Sequence, residues 1–281
     1  MNQQDHQFTA IVLAADRAAD DPVAVGTGAA CKAFAPICGI PMILRVLDAL
    51  EDSGMVKRII ICGPPKPMLP RCPELEKRIE CGRAVWLPSL GSPSRSANSC
   101  LAHIDQDDRV LLTTADHALL TPEIVQYFLK QPRTAQADAM VGAVRYEDVA
   151  AAFPGAKRTV IKLRDAWVCG CNLYAFLTPR GRDLVSFWQR AEDLRKRPWR
   201  LIAETFGFRT VLYYLLGQLT IGRGLESVAA KSGVKVQPVF LPYPQAGVDV
   251  DKIEDVRLAE AVLSEGVSRT MPKADSRGPA H

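Results

Sequence analysis

Two acidic positions and one lysine stand where this sequence is able to do chemistry. The apolar run Val110-Leu111-Leu112-Thr113-Thr114 ends in Ala115-Asp116. Near the C-terminus, Val248-Asp249-Val250-Asp251 precedes Ile253-Glu254-Asp255. A carboxylate just past the end of a strand projects into the crevice where open α/β sheets bind ligands. Two such carboxylates from distant parts of the chain suit an octahedral, oxygen-ligated Mg²⁺ that bridges phosphates. The first apolar run ends in Leu13-Ala14-Ala15-Asp16, whose small residues let a ligand approach the backbone closely. The small-residue stretch that follows contains Gly26-Thr27-Gly28-Ala29-Ala30, able to present successive N–H groups to phosphate oxygens, and then Lys32 adds a compact positive charge. Gly26-x-Gly28 lies too far beyond the strand for a dinucleotide fingerprint, and the chain has no Walker pattern.

The elements that must position these residues alternate. Strands are predicted at Phe8–Ala15, Lys57–Cys62, Ala84–Leu87, Arg109–Thr114, Ala139–Val144, Thr159–Leu163, Asn172–Phe176 and Val234–Phe240, with helical patterns between most of them. Pro41 opens a helix to about Ser53, with Met42, Ile43, Val46, Leu47 and Leu50 on one face. Thr121-Pro122-Glu123 opens another, with Thr121 as its N-cap, and Asp251 to Leu263 reads as the last. This alternation predicts an α/β fold, a three-layer α/β/α sandwich around a mixed, mostly parallel sheet. One domain is expected over 1–266, with a helical insertion at about 180–232 and a flexible tail at 267–281.

Composition excludes other classes. With 281 residues, 48% hydrophobic and 23% charged, the chain is neither disordered nor collagen-like. A net charge of +4 on 35 basic and 31 acidic residues is too mild to argue for nucleic acid and only permits anionic ligands. The eight cysteines form no CxxC pair and fall mostly in apolar runs, so they read as small buried hydrophobes in a reducing compartment. The polar start MNQQDHQFTA lacks a signal pattern, and a cytoplasmic location is expected.

Taken together, the order and spacing of these motifs resemble the nucleotidyltransferase superfamily with a glycosyltransferase-A-like fold, which includes molybdenum cofactor guanylyltransferase and sugar- or polyol-phosphate cytidylyltransferases. The motifs that carry the resemblance are Leu13-Ala14-Ala15-Asp16, Lys32, Gly39-Ile40-Pro41-Met42, Asp116 before Thr121-Pro122-Glu123, and Asp249 to Asp255. Asp16 stands where the family has glycine, and the loop to Lys32 is longer than usual and has no arginine at the family's position.

The resemblance implies transfer of a nucleotidyl group from an NTP, CTP or GTP favoured, to a phosphorylated sugar, polyol or lipid-headgroup precursor, with release of pyrophosphate. It implies that Asp116 and Asp251 hold Mg²⁺, or Mn²⁺ in its place, and that Lys32 neutralises phosphate charge. Leu13, Ala14, Ala15, Asp16, Gly28, Lys32, Asn98 and Ser99 are the expected nucleotide contacts. Gly170 and Asn172 match the family's acceptor contacts, with Arg158 and Arg164 as candidate anion ligands. The alternatives are a glycosyltransferase on the same fold, although Thr114-Ala115-Asp116 is not the usual Asp-x-Asp, and a degenerate nucleotide-binding protein.

One stretch stands outside this scheme. Trp188 to Arg200 carries Arg190, Arg195, Lys196, Arg197 and Arg200, and Leu201 to Ile221 then carries only Glu204 and Arg209 as charges. Two helices packed on the sheet or on a second subunit, as in a homodimer, are expected; a basic-aromatic edge beside an apolar helix also suits peripheral membrane contact.

Overall fold

The computed structural model describes residues 7–16, 20–131, 134, 136–194 and 207–264. The expected tail at 267–281, and Arg195, Lys196, Arg197 and Arg200, lie outside the described residues.

The strands are β1 (Phe8–Leu13), β2 (Pro36–Ile37), β3 (Ile40–Pro41), β4 (Val56–Cys62), β5 (Ala84–Leu87), β6 (Val110–Thr114), β7 (Ala139–Arg145), β8 (Ile161–Lys162), β9 (Trp167–Phe176) and β10 (Val236–Phe240). An eight-stranded sheet runs in the order β10-β7-β9-β6-β1-β4-β5, with β8 paired to β9. The long strands run parallel except β9, which is antiparallel to β6 and β7. The parallel strands therefore deliver their carboxyl ends to one edge, where Leu13 pairs with both Cys62 and Thr114.

Strands buried on both faces read as continuous apolar runs, and β1 is such a strand. Its Ala10 and Val12 pack with Leu47, Leu50 and Phe128 on one face, while Ile11 packs with Ala97, Leu101 and Val185 on the other. Helices Met42–Asp52 and Pro122–Lys130 thus cover one side, and Pro93–Leu101 and Asp183–Leu194 the other. The layers follow from alternation along the strand. Thr121 caps its helix through its hydroxyl, which accepts the Ile124 N–H at 3.4 Å.

Three local expectations differ from what forms. The stretch after β1 contains a helix, Pro22–Thr27, whose N-cap Asp21 accepts the Val23 N–H at 2.9 Å and whose C-cap Gly28 is left-handed. Asp-Pro at its start and glycine at its end are the signals that specify it. Next, β9 begins at Trp167, five residues before the predicted Asn172, because its first residues pair with the end of β7. The register shifts between Val141 and Ala143, and Asn172 takes φ 48° at that irregularity. Finally, the helix Phe208–Leu215 buries none of its residues: Phe208 is 71% and Leu215 75% exposed. No described helix is long and apolar enough to cross a membrane. The eight cysteines are all free; six are buried, while Cys38 lies in the exposed β2–β3 turn and Cys81 at an exposed helix end.

The chain leaves β9 through Thr178 to Arg182, where Gly181 sits against the backbone that precedes β7. A Cβ at Gly181 would lie 2.2 Å from the Asp138 carbonyl oxygen, and a carbonyl in a sheet-edge turn cannot retreat as a side chain does. Gly181→Ala is expected to cost about 1–3 kcal/mol by overpacking, read as a lower midpoint in urea unfolding; an unchanged midpoint would show that the turn relaxes freely.

Candidate active site

At the carboxyl edge of the sheet, the Lys32 ammonium sits between two carboxylates. Its Nζ donates to Asp116 Oδ2 and to Asp251 Oδ1, each at 2.7 Å. These residues lie 84 and 219 positions away in sequence, so only the fold brings them together. Burial alone would disfavour the ammonium, but Asp116 and Asp251 outweigh it and hold the Lys32 pKa above the ordinary lysine value.

Each partner is fixed by its own surroundings. The Thr114 hydroxyl, at the end of β6, donates to Asp116 Oδ1 at 2.5 Å, and the Asp116 carbonyl accepts the Val250 N–H at 3.0 Å. The second bond ties the β6 end directly to the segment that carries Asp251. Asp255 Oδ2 accepts the N–H groups of both Asp251 and Lys252 at 3.0 Å, as a carboxylate in the first turn of a helix does. Lys32 begins a short 3₁₀ turn, and its N–H donates to both oxygens of Asp16 at 3.1 Å. Asp16 therefore turns its carboxylate onto the lysine backbone. Burial raises its pKa, against the opposing pull of that hydrogen bond.

Asp249 lies beside the pair and is held differently. Burial, and then the charges of Asp116 and Asp251, push its pKa up to about 8. His117 is fully buried, and burial pushes its pKa down to about 4, so it stays neutral and supplies no charge to the site.

Beside this charged centre a cavity of about 980 Å³ opens. Leu13, Ala15 and Asp16 floor it from the end of β1, the 89–96 segment forms one wall, and Trp188 and Glu192 line it from the helix Asp183–Leu194. Gly63 permits the close approach behind Ala15: at φ 79°, a Cβ there would lie 3.1 Å from Ala15 Cβ.

The predicted residues divide accordingly. Lys32, Asp116, Asp251 and Asp16 come together as described. Leu13 and Ala15 line the cavity, and Ala14 is buried beside β4, its N–H donating to the Cys62 carbonyl at 2.9 Å. Gly28 departs from the expectation. Its N–H and that of Ala29 turn back to the Val25 and Ala24 carbonyls, so they close a helix instead of facing phosphate. Asn98 departs too, since its amide donates to Gln189 at 2.7 Å and fastens two helices. Ser99 lies beyond the turn that reaches the cavity, which Ser92, Arg95 and Ser96 line instead.

On the acceptor side, Gly170 is exposed on β9 with open space where a Cβ would stand, and Asn172 occupies the irregular step. Arg164 lies in the β8–β9 turn, and its guanidinium donates to Gln218 at 3.4 Å. Arg158 is not placed as an anion ligand. Its side chain is 9% exposed, with Nη2 2.9 Å from Asp255 Oδ1 and Nη1 donating to the Asp249 carbonyl at 3.0 Å. It clamps the segment that presents Asp251.

Sequence reasoning missed Asp255, Trp188 and Glu192. The position of Asp255 as the third residue of the last helix was a readable capping signal. Trp188 and Glu192 are one helical turn apart on one face, but nothing in the sequence says that this face meets the β1 end.

With this geometry in place, similarity to known proteins becomes informative. Residues 10–240 match the family model of the MobA-like NTP transferase domain. The chain belongs to this family. A hypothetical transferase from Thermus thermophilus is similar at 32% identity over 89% of this chain and 99% of that one, with a TM-score of 0.73. Two more distant solved structures share the fold. One is CMP:2-keto-3-deoxy-manno-octonic acid synthetase complexed with CTP, at 13% identity, 93% and 100% coverage and TM-score 0.56. The other is 4-diphosphocytidyl-2C-methyl-D-erythritol synthase from Anaerococcus prevotii, at 12% identity, 92% and 99% coverage and TM-score 0.54. No curated protein matches the sequence. The architecture is that of the nucleotide-diphospho-sugar transferases, and the family makes this NTP transferase domain a nucleotidyltransferase.

Removing one partner of a buried ion pair leaves the other charge uncompensated. Arg158→Met is therefore expected to destabilise the protein by about 3 kcal/mol, measured by urea unfolding. An unchanged stability with a raised KM for acceptor alone would return Arg158 to the anion-ligand role.

Proposed function

We propose that this protein is an Mg²⁺-dependent nucleotidyltransferase that moves a nucleotidyl group from an NTP to a phosphorylated small molecule, releasing pyrophosphate. The observation that carries the reading is the convergence of Asp116, Asp251 and Lys32 beside the cavity at the end of β1. The base and sugar of the NTP occupy the cavity, and its triphosphate lies over Lys32. Mg²⁺ is commonly bound through one or two carboxylates plus substrate phosphates and water. The donor set here fits that habit, because Asp116 and Asp251 already converge on one cationic atom, and Asp251 is 67% exposed. Among the described residues no group of three or more Asp, Glu, His or Cys gathers to form a closed cage. Asp116 and Asp251 would hold the ion, or Mn²⁺ in its place, and the bound ion supplies charge neutralisation at the phosphates.

The chain's own residues do the positioning. Lys32, anchored at its backbone by Asp16, brings its ammonium to the α- or β-phosphate and offsets charge that builds as the nucleotidyl group is transferred. Arg158 and Asp255 hold the Asp251 backbone in place. Gly170, Asn172 and Arg164 border the acceptor, a sugar, polyol or lipid-headgroup phosphate whose oxygen attacks the α-phosphorus in line. The similar synthetase complexed with CTP supports CTP as the donor, and the resemblance to molybdenum cofactor guanylyltransferase supports GTP. A single domain through residue 266 with a helical insertion at about 180–232 fits one sheet with core residues on both faces, and a cytoplasmic location suits eight free thiols. The exposed helix Phe208–Leu215 is the surface for a second subunit or for a membrane face.

Pyrophosphate release across the four NTPs with a panel of sugar and polyol phosphates tests the reading. Asp116→Ala and Lys32→Met are each expected to lower turnover by a factor of at least about 10², with thermal unfolding still cooperative, and EDTA to abolish it until Mg²⁺ is restored. Full turnover in Asp116→Ala, or transfer of a sugar in place of a nucleotide, would defeat the assignment.

A further inference from the structure

The helix Asp183–Leu194 rises along the Pro93–Leu101 helix and turns two side chains into the cavity. It is fastened there by Asn98 to Gln189 at 2.7 Å and by the buried Ser94, whose hydroxyl donates to Glu192 Oε2 at 2.5 Å. One turn earlier, Trp188 lines the same cavity and packs against Tyr174, with ring centroids 6.0 Å apart and planes 32° apart. An indole and a carboxylate at i and i+4 thus share one face of a helix and one wall of the cavity. Asp16 lines the same cavity from the end of β1, and its carboxylate holds the Lys32 backbone. Trp188 and Glu192 line it from a different element, and with the triphosphate over Lys32 that helix wall is left for the nucleobase of a bound NTP.

We propose that Glu192 selects the nucleobase, accepting the amino group of an amino-bearing base while Trp188 offers the ring a stacking face. This rests on the nucleotidyltransferase reading above and names the substrate class of the same site. An ionised carboxylate only accepts hydrogen bonds, so it pairs with an amino group and repels a carbonyl oxygen at the same place. Cytosine presents such an amino donor, and guanine presents an amino group next to a ring N–H, which a carboxylate takes in parallel. Uracil presents oxygen where cytosine has nitrogen, and hypoxanthine lacks the amino group of guanine. The Ser94 hydroxyl matters because it holds the carboxylate in one orientation, so that an unmatched base leaves a half-buried acceptor unpaired instead of letting it swing away. Aromatic stacking adds affinity without choosing between bases.

Equilibrium binding to the full chain in Mg²⁺, with CTP against UTP and GTP against ITP, tests this. The tighter-binding of CTP and GTP is expected to exceed its twin by about tenfold, and Glu192→Gln to shrink that ratio to about threefold or less, with thermal unfolding unchanged. Ser94→Ala leaves the carboxylate in place but frees it from its anchor, and is expected to lower the ratio as well. A ratio unmoved in both variants, with nucleotides still bound, overturns the proposal. So does an equal loss of affinity for every nucleotide in Glu192→Gln that disappears with 2′-deoxy triphosphates, which would place the carboxylate on the ribose. Failure of the wild-type protein to bind any NTP would instead overturn the nucleotidyltransferase reading itself.

Discussion

The ion triad of Lys32, Asp116 and Asp251 is the constraint around which the rest is arranged. Two carboxylates converging at a sheet edge repel, and the partial burial of Asp116 raises the cost further. The ammonium between them removes that conflict, and it does so only if three segments from the two ends and the middle of the chain arrive in register. The Asp116–Val250 backbone bond, the Thr114 hydroxyl and the cap that Asp255 makes on Asp251 all serve that arrival. Asp16 adds a bond to the lysine's own backbone, so both ends of Lys32 are tied to aspartates. The residue in the motif glycine's place thereby has a physical role: its carboxylate anchors the backbone of the lysine.

Around this centre the sheet separates two tasks. The parallel strands β1, β4 and β6 end together and floor the cavity and the charged site. The antiparallel β9 enters from the same edge, beside them, so its first residues border the site from the other side. Its irregular step at Asn172 changes which way the following side chains point, as an extra residue in a ladder does. A purely parallel sheet would offer no strand that begins at the ligand edge.

Much of this was legible in the sequence, and what was not has physical reasons. The strand ends at Leu13 and Thr114, the capped start at Thr121, and the grouping of Lys32 with Asp116 and Asp251 follow from local pattern and motif order, because strong apolar runs and prolines fix them. Gly28 was misread because a helix of six residues leaves too short a period to detect, although Asp21-Pro22 announces its start. Arg158 and Asn98 were assigned to ligands because sequence shows a side chain's chemistry but not its partner, and both are committed to other residues of the chain. The opposite error hid Trp188 and Glu192: they come from a helix whose place against the β1 end is a tertiary fact with no local signal.

The path of the chain after β9 has a further consequence. At Phe176 the strand ends at the edge remote from the site, beside Val110 and Ala139, and Arg182 there grips the carbonyls of Ile104 at 3.2 Å and Asp108 at 2.6 Å. From that fixed pivot the Asp183–Leu194 helix climbs back to the cavity. The Lys32, Asp116 and Asp251 cluster and the cavity wall of Trp188 and Glu192 therefore sit on separate stretches of polypeptide, joined at a foot distant from both. Such a layout is modular: a change in the climbing helix reshapes one wall of the cavity while the charged edge of the sheet stays as it is.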